Sequence, residues 1–307
     1  MLDIHRMRLL HEFATRGTIA ATANALGYSP SAVSQQLSTL EREAGTSLLD
    51  RTARSAELTE AGRRLAEHAG RILADVELAE AELASHTGQP SGPVSITAFP
   101  TAAVALAPSV TRRLRRYPDL SLVLRQAAAA ESLAQLRSGD IDIALVDDWT
   151  GELAGGHARL HVHWLCHDPL VLAVPADHRL AGDAPVRLRD LGTDSWIAAP
   201  PTEPSRLAMD RLLTAAGAKP AQPWEFQGLD TAMALVAQGL GIALVPRMAT
   251  SSKAATVALR ALPGRPPARD IYAISRQASA SRPAVAAALD ALRMAAREQE
   301  ARVTPLG

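Results

Sequence analysis

The stretch from Ala23 to Leu37 constrains the fold of this chain most, because its pattern predicts two short helices joined by one tight turn. Gly27 suits the turn, since glycine adopts a positive φ at little steric cost. Ser29 is a preferred N-cap residue and Pro30 suits the first helical position, so the second helix should begin there. Apolar residues then recur at helical spacing and predict a buried stripe: Val33, Leu37, Leu40 and Ala44. Together these features predict a helix-turn-helix.

The opposite face of the second helix is polar. It carries short hydrogen-bonding side chains and one cation: Ser31, Ser34, Gln35, Ser38 and Arg42. Such side chains bond base edges and phosphates in a DNA groove. An ordinary solvated helix face on a small bundle is the alternative, and the following segment helps to choose between the two.

Two strand-like runs follow this helix, at residues 48–51 and 56–58, and predict a hairpin, or wing, with Arg51 and Arg54 near its tip. Arginine there can reach phosphates or the adjacent minor groove. Two solvated surface arginines are the alternative. Because the hairpin directly follows a candidate recognition helix, a DNA contact is the favoured interpretation.

Residues 59–87 predict one long helix, which Thr59 can cap. Its apolar residues alternate steps of four and three, the heptad spacing of a helix that pairs with another helix. The candidate dimerisation residues are Leu65, Ala69, Ile72, Val76, Ala79 and Leu83. Packing of these residues on the chain's own body is the alternative. A DNA-reading unit followed by a pairing helix favours a dimer that binds a two-fold operator.

Charge places a condition on any DNA binding. The net charge is +0 over 307 residues, and residues 1–58 contain six arginines against six acidic residues. Affinity must therefore come from a few placed residues and from dimerisation rather than from a broad basic face.

The single cysteine, Cys166, excludes an internal disulfide and fits a reducing compartment. The sequence shows no signal-peptide pattern and no apolar run near the ~20 residues that span a bilayer, so we expect a cytoplasmic protein.

The second half alternates strand and helix patterns after a turn-rich linker at residues 86–93. This alternation predicts parallel sheets covered by helices, and two such sets with a late return predict two lobes with a ligand cleft between them. The expected class is a multidomain α/β protein. Its expected parts are a winged helix-turn-helix at 1–58, a linker helix at 59–87, and a two-lobed domain at 88–307, with lobe I covering 93–165 and 267–302 and lobe II covering 166–266.

Several motifs, in this order, resemble those of LysR-type transcriptional regulators. They are Leu-Leu-Asp-Arg-Thr at 48–52, Leu-Thr-Glu-Ala-Gly at 58–62, Ser-Gly-Asp-Ile-Asp-Ile-Ala-Leu-Val at 138–146, and Ala-Gln-Gly-Leu-Gly-Ile-Ala-Leu-Val-Pro at 237–246. The resemblance covers nearly the whole chain. It implies a C-terminal effector domain similar to periplasmic binding proteins. The chain departs from the family at Gln35, where arginine is frequent, and in a wing turn that lacks the usual glycine.

The resemblance implies a transcription factor that responds to a small-molecule effector. We expect no metal and no cofactor. Its implied partners are double-stranded operator DNA, the effector, and further copies of the chain in a dimer or tetramer, with RNA polymerase a further candidate. By motif position and the polar face of the second helix, the candidate DNA contacts are Pro30, Ser31, Ser34, Gln35, Ser38, Arg51 and Arg54.

The resemblance also implies an effector pocket between the two lobes. Its candidate residues are Phe99, Pro100, Thr101, Ala102, Asp147, Ala199, Thr202, Ser205, Leu229, Asp230, Thr231 and Pro246. Thr101 and Thr231 stand at expected helix N-termini, which favour an anion. Asp147, Asp148 and Asp230 oppose an anion. We therefore expect a zwitterion or a ligand with a cationic group.

Two other chemistries receive less support. The histidines at 157, 161, 163 and 167 cluster near Cys166, but their spacing fits no familiar zinc pattern. A redox role for Cys166 would ordinarily need a second, resolving cysteine. No nucleophile elbow, P-loop or dinucleotide fingerprint indicates an enzyme. A small-molecule-binding protein or enzyme with an appended DNA-binding head remains the alternative function.

Overall fold

The computed structural model describes residues 1–51, 56–153, 159–182, 186–191, 194–218, 223–252, 256–264 and 266–302. The N-terminal part is a winged helix-turn-helix domain. Its elements are α1 (Ile4–Arg16), α2 (Ile19–Leu26), α3 (Pro30–Ala44), and the antiparallel strands β1 (Leu49–Arg51) and β2 (Ala56–Leu58). A compact apolar core joins these helices to the wing.

The local signals around the turn act as the sequence predicts. Gly27 ends α2 with a left-handed φ of 71°. The Ser29 hydroxyl accepts a hydrogen bond from the Ala32 N–H at 3.2 Å, and Pro30 occupies the first turn of α3. The buried stripe on α3 faces the core as expected, through Val33, Leu37 and Leu40.

Helix α4 (Glu60–Thr87) leaves the winged domain directly. The Thr59 hydroxyl accepts a hydrogen bond from the Gly62 N–H at 2.9 Å, which confirms the predicted cap. At Gly62 a Cβ atom would lie 2.1 Å from the Leu48 carbonyl oxygen, so only glycine allows the helix to approach the wing this closely.

The two halves of α4 differ in what they contact. Ala69 is fully buried in the core of the chain's own winged domain, and Leu65 packs against that core. Farther along, Ile72 is 38% exposed and Leu83 is 70% exposed. The expectation that the whole heptad pattern faces a second helix therefore needs correction, because its first part is used within the chain.

Lobe I is built on a mixed sheet. Its first elements are β3 (Gly92–Ala98), α5 (Pro100–Leu114), β4 (Leu120–Gln126), α6 (Ala129–Ser138) and β5 (Ile143–Asp148). Strand β3 lies between β4 and β5 and is parallel to both. Helix α5 and the late helix α9 (Pro283–Arg302) cover one face of this sheet.

The strand β6 (Leu160–Pro175) is shared by both lobes. Its residues 160–169 pair with β11 (Ala268–Arg276), and its residues 170–175 pair with strands of lobe II. Strand β11 lies between β5 and β6 and is antiparallel to both. The expectation of parallel sheets is confirmed for β3, β4 and β5 but is wrong for β11. The return strand β11 enters lobe I against the direction of its neighbours. The change of partner after Pro169 lies four residues beyond the expected division of the lobes.

Lobe II continues from β6. It contains the 3₁₀ turn Leu188–Leu191, β7 (Trp196–Ala198), α7 (Pro204–Ala215), β8 (Pro223–Glu225), α8 (Leu229–Ala237), β9 (Ala243–Pro246), the 3₁₀ segment Arg247–Ser252 and β10 (Val257–Arg260). Strands β9 and β10 pair antiparallel with β6, and Trp196 is fully buried in the lobe's core. Among the described helices, none is long and apolar enough to cross a bilayer.

Candidate functional site

The polar side chains on the outer face of α3 differ in how exposed they are. Ser31 and Gln35 are exposed. The Gln35 amide makes no hydrogen bond with any residue that the structure describes, so both its donor and acceptor groups remain available. Ser34 and Ser38 are half-buried instead. Gln35 is thus the side chain on this face best able to form two hydrogen bonds to one base edge.

The wing is tied to α3 through Arg51. The Arg51 guanidinium donates to the Ser34 hydroxyl at 2.8 Å and to the Ser38 hydroxyl at 3.0 Å, and it lies 3.6 Å from Glu41. Three of the candidate DNA contacts therefore form one hydrogen-bonded unit. The sequence pattern gave no sign of this pairing, because 17 positions separate Arg51 from Ser34. Arg54 lies outside the described residues.

Glu41 fixes the base of the wing. Its Oε1 atom accepts hydrogen bonds from the backbone N–H groups of Leu48 and Leu49, both at 2.9 Å. Both leucines are buried in the core of the winged domain. A carboxylate on the recognition helix thereby sets where the first strand of the wing begins.

Three candidate effector residues of lobe I, Phe99, Thr101 and Asp147, converge on an arginine that sequence reasoning missed, whereas the Ala102 side chain is buried in the core of lobe I. Arg269, at the start of β11, is 3% exposed. Its guanidinium donates to the Thr101 hydroxyl at 2.7 Å, to Asp147 Oδ2 at 3.0 Å, and to Asp168 Oδ2 at 3.0 Å. We call these four residues the Arg269 network. It brings together the start of α5, the end of β5, and the shared strand β6.

Aromatic rings complete this site. The guanidinium carbon of Arg269 lies 4.8 Å from the centre of the Phe99 ring and 5.8 Å from that of Trp149, within the range of cation–π attraction. The Trp149 indole also donates to Asp147 Oδ2 at 3.0 Å. The other oxygen of this carboxylate, Oδ1, accepts no hydrogen bond in the described part of the chain. Asp147 therefore retains one free acceptor.

The Arg269 network also links the two lobes. Asp168 Oδ1 accepts the backbone N–H of Met248 at 2.8 Å, and Met248 follows the candidate residue Pro246 closely in the chain. Met248 packs into the core of lobe I, whereas Trp149 packs against the core of lobe II. Burial raises the pKa of Asp168, and the Arg269 guanidinium opposes that shift. The lobes thus meet around buried charges.

Asp148 has a structural role beside this site. Burial alone would raise its pKa, but hydrogen bonds from the backbone of Thr150, Leu153 and Gly151 outweigh that effect and hold the pKa below its ordinary value. Because Asp148 stays ionised, it adds a second negative charge beside Asp147.

The candidate residues of lobe II lie at strand ends and helix starts, as expected. Ala199 follows β7, Pro246 ends β9, and the others stand before or within the first turns of α7 and α8: Thr202, Ser205, Leu229, Asp230 and Thr231. Leu229 packs against the lobe's own core. Among the described residues, none of this set bonds to the Arg269 network.

The histidine cluster is divided among separate contacts. The rings of His161 and His163 meet edge to face at 6.0 Å, and His163 Nδ1 lies 3.1 Å from Arg293. Burial and Arg293 both lower the pKa of His163. His167 pairs with Asp270. His157 lies outside the described residues.

Comparison with known proteins assigns the chain to a family. Residues 4–63 match the family described as "Bacterial regulatory helix-turn-helix protein, lysR family", and residues 87–297 match the "LysR substrate binding domain". The chain belongs to the LysR family. Similar solved structures include a full-length OxyR variant from Pseudomonas aeruginosa, with 20% identity, a TM-score of 0.74, and coverage of 96% of this chain and 95% of that one.

Named LysR-family relatives are moderately similar. The "DNA-binding transcriptional dual regulator OxyR" of Escherichia coli is 30% identical over 256 residues, covering 81% of this chain and 80% of that protein. The "Transcriptional dual regulator GltC" of Bacillus subtilis is 28% identical over 247 residues, covering 80% and 81%. A structure of full-length CbnR with its target DNA shares the fold, with 23% identity, a TM-score of 0.55, and coverage of 96% and 100%.

Some LysR-family relatives are named for hydrogen peroxide, so the environment of the cysteine in this chain bears on its chemistry. A "Hydrogen peroxide-inducible genes activator" from Dickeya chrysanthemi is 30% identical over 253 residues, covering 81% of this chain and 80% of that protein. Here the sole cysteine, Cys166, is 1% exposed. Burial raises the pKa of its thiol to about 12, and Asp168 acts in the same direction. A thiol that stays protonated and buried is a poor nucleophile toward peroxide.

Proposed function

We propose that this LysR-family chain is a transcription factor that reads operator DNA with α3 and the wing and responds to a small molecule bound between its lobes. The free Gln35 amide at the centre of the exposed α3 face carries the proposal. The DNA contacts would be Pro30, Ser31, Ser34, Gln35, Ser38 and Arg51, with Arg54 beyond the described part. Such a protein would work in the cytoplasm, where it meets the chromosome.

The exposed half of α4 supports pairing of two copies. After the part buried in the winged domain, the residues left for a partner helix are Ile72, Val76, Ala79 and Leu83. A second copy would bring a second recognition helix to a two-fold operator. Dimerisation would also double the number of placed contacts, which a winged domain of zero net charge needs.

The Gln35→Ala substitution tests the DNA-reading proposal. On DNA that the full chain selects from a random pool, it should remove preference at one base pair by about 1–3 kcal/mol, since one bidentate contact is lost. Fluorescence anisotropy against all single-base variants of that DNA measures the loss. Gln135→Ala, the same change on helix α6 of lobe I, is the control and should leave every preference intact. Uniform weakening across all sequences would contradict a base-reading role.

We propose that the effector site takes a ligand with a cationic group. Asp147, Asp148 and Asp168 outnumber Arg269, and Asp147 Oδ1 is free to accept a hydrogen bond. The proposed pocket residues are Phe99, Pro100, Thr101, Ala102, Asp147, Ala199, Thr202, Ser205, Leu229, Asp230, Thr231 and Pro246.

Calorimetry on the full chain tests this ligand class. Amino acids and simple diamines should bind, and Asp147→Asn should weaken their binding about tenfold because the negative charge that strengthens the hydrogen bond is lost. Asp290→Asn, an exposed change on α9, is the control. Tight binding of succinate with no binding of any amine would overturn the cationic assignment.

We propose that effector binding, and not oxidation of a thiol or turnover of a substrate, is the signal. The buried, protonated Cys166 supports the first exclusion. The exclusion of substrate turnover is supported by the site itself. Asp147 and Asp168 both form ion pairs with Arg269 and do not form an acid–base pair with each other. A ligand identified by calorimetry should therefore be recovered unchanged after long incubation with the protein.

A further inference from the structure

The winged domain contacts its own lobe I through a charged cluster that the proposed function leaves unused. Glu12 on α1 is fully buried, and its Oε2 atom accepts a hydrogen bond from Arg16 Nε at 2.8 Å. Arg16 also bonds to Asp140 in the turn after α6. A residue of the winged domain is thus joined by an ion pair to a residue of lobe I, 124 positions later in the chain.

The turn that carries Asp140 is held firmly to the sheet. Gly139 ends α6 with a φ of 85°, and the Asp140 N–H donates to the Gln135 carbonyl at 2.9 Å. The Ser138 hydroxyl bonds to the same carboxylate oxygen as Arg16, at 2.8 Å. Arg276, the last residue of β11, donates to the carbonyls that flank this turn, Leu136 at 2.8 Å and Ile141 at 2.6 Å.

The opposite end of the same strands forms the effector site. Arg269 is the second residue of β11 and Arg276 is its last, while β5 runs antiparallel from Ile143 to Asp148. Their pairing is continuous from Asp270–Asp148 to Ser275–Ile143. At about 3.4 Å per residue, this ladder separates the two ends by roughly 20 Å. The Arg269 network and the Arg16–Asp140 pair are therefore the two ends of one hydrogen-bonded ribbon.

We propose that the β5–β11 ribbon couples the effector site to the winged domain, with the Arg16–Asp140 pair as the contact through which the coupling acts. This inference rests on the proposed function. A shift of Arg269 by a ligand would move β11 along its length, since backbone hydrogen bonds resist local bending. Arg276 would then reposition the turn at Asp140. The Arg16–Asp140 pair limits the orientations that the winged domain can adopt relative to lobe I. Without the pair, the winged domain must lose more conformational freedom when it binds DNA, and DNA affinity falls.

A double-mutant cycle on the full chain tests the coupling. Substitutions about 20 Å apart with no shared partners normally have additive effects. Coupling through Asp140 predicts instead that Asp147→Asn changes affinity for selected DNA at least about threefold, but not in the Asp140→Asn background. Asp140→Asn alone should weaken binding about threefold to tenfold. Asp140→Glu, which keeps the carboxylate, should restore part of it.

Control variants separate coupling from general damage. Glu298→Gln disrupts an arginine–carboxylate cluster that lies wholly within lobe I and should leave DNA affinity unchanged. Amide hydrogen exchange gives a readout without DNA, because Asp140→Asn should speed exchange in α1 while Glu298→Gln should not. The inference is overturned if the effects of Asp140→Asn and Asp147→Asn on DNA affinity multiply in the double variant. It is also overturned if either substitution alone leaves DNA affinity unaltered. A wild-type chain that selects no DNA overturns the proposed function itself.

Discussion

Replacing Arg269 with methionine is expected to lower the free energy of unfolding of the effector domain by about 3–5 kcal/mol, the usual cost of removing one partner from a buried ion pair. Asp168 is as deeply buried as Arg269, and its carboxylate would lose its cation. Urea unfolding followed by circular dichroism measures the effect. Arg293→Met, at a half-buried arginine that pairs with Asp290 and contacts His163, is the matched control and should change stability by less than about 1 kcal/mol.

The loss should depend on pH in a defined direction. Burial already raises the pKa of Asp168, and removal of Arg269 would raise it further. A carboxylate with a raised folded-state pKa destabilises the protein at high pH, and this penalty falls as pH drops from the folded-state pKa toward the lower pKa of the unfolded chain. The Arg269→Met defect should therefore shrink in acid. Adding Asp168→Asn should likewise recover part of it, and no recovery by either route would exclude an unpaired buried charge as the cause.

Replacing Glu41 with alanine is expected to destabilise the winged domain by about 2–3 kcal/mol. A hydrogen bond to a charged group contributes about 1.5–3 kcal/mol, and the partial exposure of the Glu41 side chain keeps the total of its two bonds near that range. The backbone N–H groups of Leu48 and Leu49 would lose their acceptor, and Arg51 would lose its nearest carboxylate. DNA affinity should fall about tenfold, because the wing would lose its fixed position against α3.

Two control variants sharpen the Glu41 prediction. Glu41→Gln keeps an acceptor oxygen at the same position and should recover most of the stability. Glu57→Ala removes an exposed carboxylate from the wing itself and should cost less than about 0.5 kcal/mol. Equal losses for Glu41→Ala and Glu57→Ala would show that the wing does not depend on Glu41 for its anchor.

The winged domain could be predicted well from sequence because its signals are local. The cap at Ser29, the left-handed Gly27 and the apolar stripe of α3 each depend on neighbours within one or two turns. The alternation of strands and helices in the second half likewise revealed two lobes. The presence and type of these elements follow from short-range rules.

The features that sequence reasoning missed all depend on distant partners. Arg269 lies 168 positions from Thr101, and nothing in its own segment distinguishes it from a surface arginine. The antiparallel direction of β11 could not be predicted, because the apolar pattern of a strand looks the same whichever way the strand runs in the sheet. The heptad pattern correctly predicted that one face of α4 is apolar. It could not show that Ala69 packs into the chain's own winged domain rather than against a second helix. Burial of Cys166 was equally invisible until the fold placed it.

The central position of β11 has a consequence for synthesis of the chain. Domains generally fold as they leave the ribosome, N-terminal first. The winged domain is complete long before residues 268–302 emerge, and the last strand of lobe II, β10, ends only shortly before them. At that point lobe I still lacks both its middle strand and helix α9. Until that segment arrives, β5 and β6 present open edges to each other and to neighbouring nascent chains. Lobe I is therefore the last part to close, and a chain shortened before β11 would have a DNA-reading head on an unfinished sheet.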